Sequence, residues 1–587
     1  MIRATLLSFT VLAVAGCLGA PPDAAPVPLA THVDDWRDEV VYQVLVDRFA
    51  NGDVNNDYGA KPGHLSRYQG GDWRGLEEHL DYLEALGVTT LWISPVVKNV
   101  ETDADFDAYH GYWAQDLAEA NPHFGDVSEL RSLVSAAHGR GMKVVLDIVT
   151  NHMGQVFFYD QNLNGQADVY IGGSGSTSPV TRSTEFDPDW DPRGVQVVTS
   201  LGVGGRAPMV FFDQPTISRE RPKPEVLGTA AAYHGFGRTL DYEQPDQLLM
   251  GDFPGGLKDV ATENPEVRDA MVDSYTRWAE LVDLDGFRID TVKHVEHGFW
   301  QVFTKGVRER LAAQGKDRFL MFGEAFDGRD DLLGSFTVPG ELDSVFNFSQ
   351  KFLVYGGVFE QAHDANAQRG TTAIASSWAQ RDTNWSATPQ VGGTGVAPAR
   401  MPVNFLDNHD VPRFLFNAKG DVAALRNALT LLFTQEGLPC LYYGTELDFD
   451  GGNDPANREV LWTRGFDTTG VTFQHVSKLA QLRRELPALR KGETHVLFAT
   501  DHTQLESDAG LFAFERTGGD AGAAYALVVL NTNGRNAAQT ELTTTMPAGT
   551  VLVDRLGDGT TQLTVGAQGQ VTVAVPAQSA LVLVRAP

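Results

Sequence analysis

The sequence predicts a (β/α)8 TIM barrel with an inserted domain after its third strand and a C-terminal antiparallel β-sandwich domain. Three observations lead there. From about Trp36, short apolar runs alternate with stretches of helical periodicity. Residues 151–262 break that rhythm, being rich in Gly, Pro, Asp and Ser and too long for a simple connection. After about Glu493 the helical stretches stop, and short alternating segments such as Ala524–Leu530 and Gln570–Val575 lie between Gly, Asn and Asp turns.

The chain opens with Arg3 and an apolar run, Leu6 to Val14, too short to span a bilayer as a stable helix. The run ends in Val14-Ala15-Gly16-Cys17, which resembles a bacterial lipobox. We therefore expect residues 1–17 to act as a lipoprotein-type signal and Cys17 to carry a lipid anchor. The protein would then be exported and held on the cell envelope or outer surface, touching the membrane only through that anchor. Residues 18–35, rich in Pro and Ala, read as a tether. Cys440 lies in the apolar run 438–443 and is expected to be a buried, inert thiol. With 76 acidic residues against 46 Lys and Arg, the net charge is −30, so nucleic acid is excluded as a partner by repulsion.

Candidate barrel strands are Val40–Val46, Thr90–Pro95, Val144–Val149, Gly286–Asp290, Leu320–Glu324, Ser344–Phe348, Val403–Asp407 and Leu438–Tyr443. Several are near-continuously apolar, as strands covered on both faces must be. Leu76, Leu80, Leu83 and Leu86 recur at helical spacing, with Gly87 placed to end that helix. Asn264-Pro265 opens another, with Val267, Met271, Trp278 and Leu281 on one side. The barrel then comprises 36–150 and 263–491, the insert 151–262 and the terminal β-domain 492–587.

The residues able to do chemistry fall at the ends of these strands, where barrel enzymes place their sites. The third strand runs into Asp147-Ile-Val-Thr-Asn151-His152. The fourth runs into Gly286-Phe-Arg288-Ile-Asp290-Thr-Val-Lys293-His294, the fifth into Gly323-Glu324 and the seventh into Phe405-Leu-Asp407-Asn-His409-Asp410. One such Asp is often only a helix cap. Carboxylates from three strand ends converging on one mouth repel one another and cost stability, which points to a function. The chemistry fits retaining glycoside cleavage, which needs one ionised carboxylate as nucleophile and one protonated carboxyl as acid. Arg288, two residues before Asp290, is placed to favour the ionised form of Asp290. Glu324, between Phe322 and Phe326, is expected to have a raised pKa through desolvation and the neighbouring carboxylates. His152 and His409 are suited to hydrogen-bonding sugar hydroxyls.

These motifs, in this order, resemble glycoside hydrolase family 13, the α-amylase family. The stretch Ala108-Tyr-His110-Gly-Tyr112-Trp113 is similar to that family's second-strand segment. The resemblance implies that Asp290 is the nucleophile, Glu324 the acid/base and Asp410 the transition-state stabiliser. It places His110, Tyr112, His152, Arg288, Lys293, His294 and His409 around the substrate, an α-glucan or maltooligosaccharide. It also implies calcium. Asn151, Asp259 and the His294 carbonyl match the ligands that join barrel to insert. Asn51, Asp53, Asn56, Asp57, Gly70 and Asp72 resemble an additional calcium loop of cyclodextrin glycosyltransferases. The expected activity is retaining hydrolysis of α-1,4-glucosidic bonds in starch or maltodextrins. The alternatives are a transglycosylase or glucan isomerase using the same covalent intermediate, and a non-catalytic glycan-binding lipoprotein. Phe326 stands where cyclodextrin glycosyltransferases carry a water-excluding aromatic. The single β-domain after the barrel weighs toward hydrolysis, and the intact Asp290, Glu324 and Asp410 weigh against the non-catalytic reading.

Overall fold

The structure is a computed structural model that describes residues 25–103, 106–160, 169–171, 181–183, 208–213, 218–519 and 524–586. Cys17 and the signal-like run before it lie outside the described residues.

Eight parallel strands close into a barrel. They are β1 (Val41–Val44), β2 (Thr90–Ile93), β3 (Lys143–Ile148), β4 (Gly286–Ile289), β5 (Leu320–Gly323), β6 (Ser344–Val345), β7 (Val403–Phe405) and β8 (Leu438–Tyr442). Each predicted strand overlaps one of these, and only β3 begins outside its predicted bounds, one residue early at Lys143. Neighbours pair in register from Val41 with Thr90, through Gly286 with Val145 and with Leu320, to Val403 with Leu438. Cys440 pairs with Val41, and a bridge between Phe346 and Val403 closes the remaining gap. Every β1, β2, β4, β5 and β8 residue is buried, which explains why those segments read as near-continuous apolar runs, broken by Gln43 in β1 and Arg288 in β4. Cys440 is a free, buried thiol whose pKa burial pushes well up.

Around the barrel, helix α1 (Leu80–Leu86) ends at Gly87, whose φ of 92° needs a residue without a Cβ. The single helix expected through Leu76 is divided. A six-residue helix, Trp73–Glu78, precedes α1, and the His79 ring, bonded 2.8 Å from the Gly75 carbonyl, marks the break. Helix α2 (Val127–Gly139) starts at a capping box formed by Asp126 and Glu129. Helix α3 (Pro265–Val282) is capped by Asn264 and buries Val267, Met271, Trp278 and Leu281. Among the described residues no helix is long and apolar enough to cross a membrane.

Between β3 and α3 the described part of the insert contains short antiparallel pairs, Phe157–Tyr159 with Met209–Phe211 and His152–Met153 with Lys258–Asp259. The second pair fastens the insert directly to the end of β3. Beyond the barrel come β9 (Glu493–Ala499), β10 (Leu511–Thr517), β11 (Tyr525–Asn531), β12 (Ala538–Thr543), β13 (Val551–Asp554), β14 (Gln562–Thr564), β15 (Gln570–Val575) and β16 (Ser579–Arg585). Six form one sheet in the order β9-β10-β11-β16-β13-β14, and β12 pairs with β15 in a second. Leu511, Leu527, Val529, Leu552, Val571, Val573 and Leu583 form the core between the two sheets.

Candidate active site

The C-terminal ends of β3, β4, β5 and β7 open into one cleft of about 540 Å³. Its lining includes His110, Tyr112, His152, Asp290, Lys293, His294, Glu324, His409 and Asp410. Every catalytic and substrate residue expected from the sequence therefore meets here, except Arg288, which lies beneath the lining and is fully buried.

Arg288 organises the floor of the cleft. Its Nη1 donates to Asp147 at 2.9 and 3.1 Å and to Asp290 Oδ1 at 2.8 Å. Its Nη2 lies 3.1 Å from Glu324 Oε2. One planar guanidinium thus bridges Asp290, just past β4, and Glu324, just past β5, because the adjacent strands pair Arg288 with Phe322 and leave both carboxylates two residues further on. Asp147 is spent on positioning, accepting from Trp92 Nε1 at 3.1 Å and Tyr112 Oη at 2.7 Å as well as from Arg288.

A single cation serving three carboxylates does not offset their burial. Desolvation raises Asp290 to about 6, against the pull of Arg288 and with help from the negative Asp147 and Asp410. Desolvation raises Glu324 further, to about 8, with Asp290 and Asp410 adding to it. The sequence attributed the Glu324 shift to both neighbouring phenylalanines. Phe322 is fully buried, but Phe326 sits at the rim, 42% exposed and packed on Phe348 and Phe352. The Glu324 side chain itself is buried at the strand end.

The histidines are held neutral. Burial lowers His152 to about 3 and His294 to about 4 and takes His409 well down, with Arg458 and Arg288 assisting at His409. His152 stacks on Phe253 at 5.2 Å, and its buried Nε2 has no hydrogen-bond partner in the structure. His409 is fixed by Gln43, 2.6 Å from Nδ1, and its Nε2 lies 3.2 Å from Asp410. Tyr112 lies parallel to His409, with centroids 5.1 Å apart, and its backbone N–H donates to His110 Nδ1 at 3.1 Å. Lys293 reaches the Phe326 carbonyl at 2.5 Å at the rim. His294 is tied to the Leu248 carbonyl of the insert at 3.1 Å.

Sequence reading missed Gln43, Asn457 and Arg458. Arg458 donates to the His409 carbonyl at 3.1 Å and to Tyr109 Oη at 3.0 Å, and stands 3.6 Å from Asp410. Asn457 donates to the carbonyls of His409 and Val411. The available signal was the Asx-rich run Asn453-Asp-Pro-Ala-Asn-Arg458, which follows the eighth strand on the same side of the barrel as the motifs.

The metal-type residues form two separate groups. In the loop after β1, Asn51 Nδ2 sits 2.9 Å from both oxygens of Asp57. A Cβ on Gly70 would come within 2.3 Å of Asp57 Oδ1, so the backbone there is pressed against the carboxylate. Asn56 Oδ1 is buried with no hydrogen-bond partner. A carboxylate, an amide that can turn its oxygen inward and an orphan amide oxygen form a donor set that suits calcium. Asp72 and Asp53 stand differently. Asp72 accepts from Gly52, Asp53 and Gly75 N–H groups, while Asp53 faces solvent and binds Asn55. At the barrel–insert junction, Asn151 offers its side chain beside His152, and Asp259 is buried. There the Asp259 carboxylate is taken by His234 Nδ1, whose Nε2 meets Glu263 at 2.9 Å. A cation at the junction would have to displace that imidazole.

The Alpha amylase, catalytic domain family model matches residues 43–481. The chain belongs to the α-amylase family. A Streptomyces lividans α-amylase is 34% identical over 565 residues, covering 89% of this chain, and this chain spans only 57% of that enzyme's length. The crystal structure of an Anoxybacillus α-amylase superposes with a TM-score of 0.70 at 26% identity, over 94% of this chain and 99% of the other. CldA, described as a cyclomaltodextrin glucanotransferase with a three-domain ABC distribution, superposes with a TM-score of 0.69 at 25% identity, over 93% and 99% of the two chains.

Proposed function

We propose that the protein is a retaining glycoside hydrolase that cleaves α-1,4-glucosidic bonds in starch or maltodextrins. The observation that carries this reading is the Arg288 bridge. It holds two carboxylates of unequal acidity on one guanidinium at the mouth of the cleft, the pairing that a nucleophile and an acid/base require. Above its pKa, Asp290 attacks the anomeric carbon while Glu324, still protonated, gives its proton to the leaving oxygen. The glycosyl ester on Asp290 is then hydrolysed by a water that Glu324 deprotonates. Asp410 at the open side stabilises the oxocarbenium-like transition state. Neutral His152 and His409 bond the hydroxyls of the reacting sugar without adding charge, and Tyr112 offers its ring to the sugar. Product chromatography from maltoheptaose and starch, with proton NMR of the first anomer released, tests the reading. The α-anomer is expected, and first release of the β-anomer would overturn it.

A second reading, glycosyl transfer, has its own support. Phe326 and Phe352 present exposed aromatic faces at the rim near Glu324, where an acceptor sugar would stack. The likeness to CldA, described as a glucanotransferase with a three-domain ABC distribution, adds support for transfer. The yield of elongated or cyclic products against reducing ends separates the two.

Calcium at the Asn51–Asp57–Gly70 loop is part of the same reading, supported by the orphan Asn56 oxygen. It would supply cohesion between the loop after β1 and the turn before α1, not chemistry. A second ion at Asn151, Asp259 and the His294 carbonyl is the expectation that must compete with His234. We further propose that Cys17 is lipidated and that the enzyme works exported on the cell envelope, a reading that rests on the Val14-Ala-Gly-Cys17 run. Detergent partitioning and a lipid mass should be lost in Cys17→Ala. An unmodified, soluble wild-type protein from a lipoprotein-competent host would sink it.

A further inference from the structure

At the opposite end of the barrel from the cleft lies a second charged cluster. His138 ends α2, just before β3; Asp283 caps α3; Asp285 immediately precedes β4; and Lys316 precedes β5. The fifth member, His32, comes from the N-terminal strap, residues 25–35, which crosses the barrel floor and is pinned by Val27 N–H on the Glu280 carbonyl and Ala30 N–H on Asp283.

Its geometry is that of a ligand set. His32 Nε2 is 2.8 Å from Asp283 Oδ2, and His138 Nδ1 is 3.9 Å from the same oxygen. One ligand atom from each of His32, His138 and Asp283 lies within 4.8 Å of the other two. His138 Nε2 is committed to Asp285 Oδ2 at 2.8 Å, and that oxygen also accepts the Val144 N–H at 2.9 Å. The carboxylate therefore fixes the tautomer and leaves the His138 Nδ1 lone pair facing Asp283, the outer-shell support that metal-bound histidines characteristically have. Lys316 holds the far oxygen of Asp283 at 2.6 Å and Asp285 at 3.1 Å. The two imidazoles stack face to face, centroids 3.6 Å apart.

We infer that His32, His138 and Asp283 form a transition-metal site of the zinc type on the barrel floor, clasping the N-terminal strap to the barrel. Two imidazole nitrogens and one carboxylate oxygen suit Zn²⁺ and leave a fourth position for water. Oxygen-seeking calcium is a poor match for that set.

The test is zinc titration of the full chain with calcium saturating, followed by calorimetry, and by the absorption of Co²⁺ as a coloured substitute. One Zn²⁺ per chain is expected. His32→Ala should abolish binding, and Asp285→Asn should weaken it about ten- to a hundredfold. Zinc should also slow proteolysis within residues 25–35 in the wild type but not in His32→Ala. Turnover of maltooligosaccharides by His32→Ala should equal that of the wild type. If His138→Gln fails to fold, His32→Ala still decides, because its side chain belongs to the strap. No saturable zinc binding in the wild type, or stoichiometric binding untouched by His32→Ala, would overturn the inference.

Discussion

The two ends of the barrel carry the same ingredients and put them to opposite ends. At the mouth, Arg288 is shared among Asp147, Asp290 and Glu324. At the floor, Asp285 alone receives His138, Lys316 and the Val144 N–H. Both sets are buried. Yet burial wins at the mouth, raising Asp290 and Glu324, while at the floor hydrogen bonds and opposite charge win and Asp285 is lowered. Burial alone therefore does not make a carboxylate reactive. What matters is how few donors it is given once buried, and the mouth is left short.

The sharpest way to break this comparison is to remove the reactive groups. Asp290→Asn should lose nearly all turnover, because an amide forms no glycosyl ester. Glu324→Gln should lose about 10²–10⁴-fold on natural glucans, the scale of general acid–base assistance. With α-glucosyl fluoride, which leaves without a proton, the Glu324 variant should still be glycosylated and then stall. Mass spectrometry should locate the adduct on Asp290, and an adduct elsewhere would reassign the nucleophile.

Next in size is the shared cation. Arg288→Met strips three buried carboxylates of their partner and should cost about 3–5 kcal/mol in urea unfolding near neutral pH. The sign with pH follows from the raised carboxylates. Without Arg288 the folded state holds protons that the unfolded state releases, so the deficit should grow as pH rises above the unfolded carboxylate range and shrink in acid. A deficit independent of pH would mean that packing, not charge, is what Arg288 supplies.

Calcium comes third. If the Asn51–Asp57 loop binds it, a hundredfold excess over the dissociation constant stabilises by about 2.7 kcal/mol, and EDTA should lower Tm accordingly. Asp57→Ala should remove that calcium-dependent part while leaving the floor cluster intact. Equal melting with and without EDTA would exclude the ion.

How much of this was legible in the sequence follows the same division. The eight strands were readable because buried parallel strands are apolar on both faces, and Asp290, Glu324 and Asp410 were readable because each ends or follows such a strand. The division of the helix at His79 was not, since a side chain reaching the Gly75 carbonyl leaves no trace in periodicity. Arg458 and Asn457 were hidden in an Asx-rich loop, and Gln43 within β1. The floor cluster was invisible for a different reason. Its five members come from four segments between His32 and Lys316, with no shared motif. The insert has no period, so sequence reading gave only its existence.

The shape of the pH profile is a smaller effect but a more discriminating one. Asp290 must be ionised to attack, so kcat/KM should rise as pH passes about 6. Glu324 must be protonated to assist departure, so the rate should fall as pH passes about 8. The two apparent values belong to the interacting pair rather than to either residue alone. Glu324→Gln should erase the alkaline limb and keep the acid one. A wild-type profile lacking either limb would contradict the division of roles.

The smallest expected effect is the one that isolates the floor. His32→Gln removes the strap's imidazole from Asp283, but the pair is partly open, with side-chain exposures of 28% and 12%, and Lys316 remains on the same carboxylate. In metal-free buffer the loss should therefore stay within about 1 kcal/mol, the range of exposed ion pairs. The kcat and both limbs of the pH profile should be unchanged, because no hydrogen bond runs from His32 to the Arg288 cluster among the described residues. With zinc present the same substitution should cost more, by whatever the metal contributes to wild-type stability. Tm measured for both proteins with and without zinc separates the two terms. If His32→Gln alters the limbs of the profile, floor and mouth are coupled through the strands, and their independence fails.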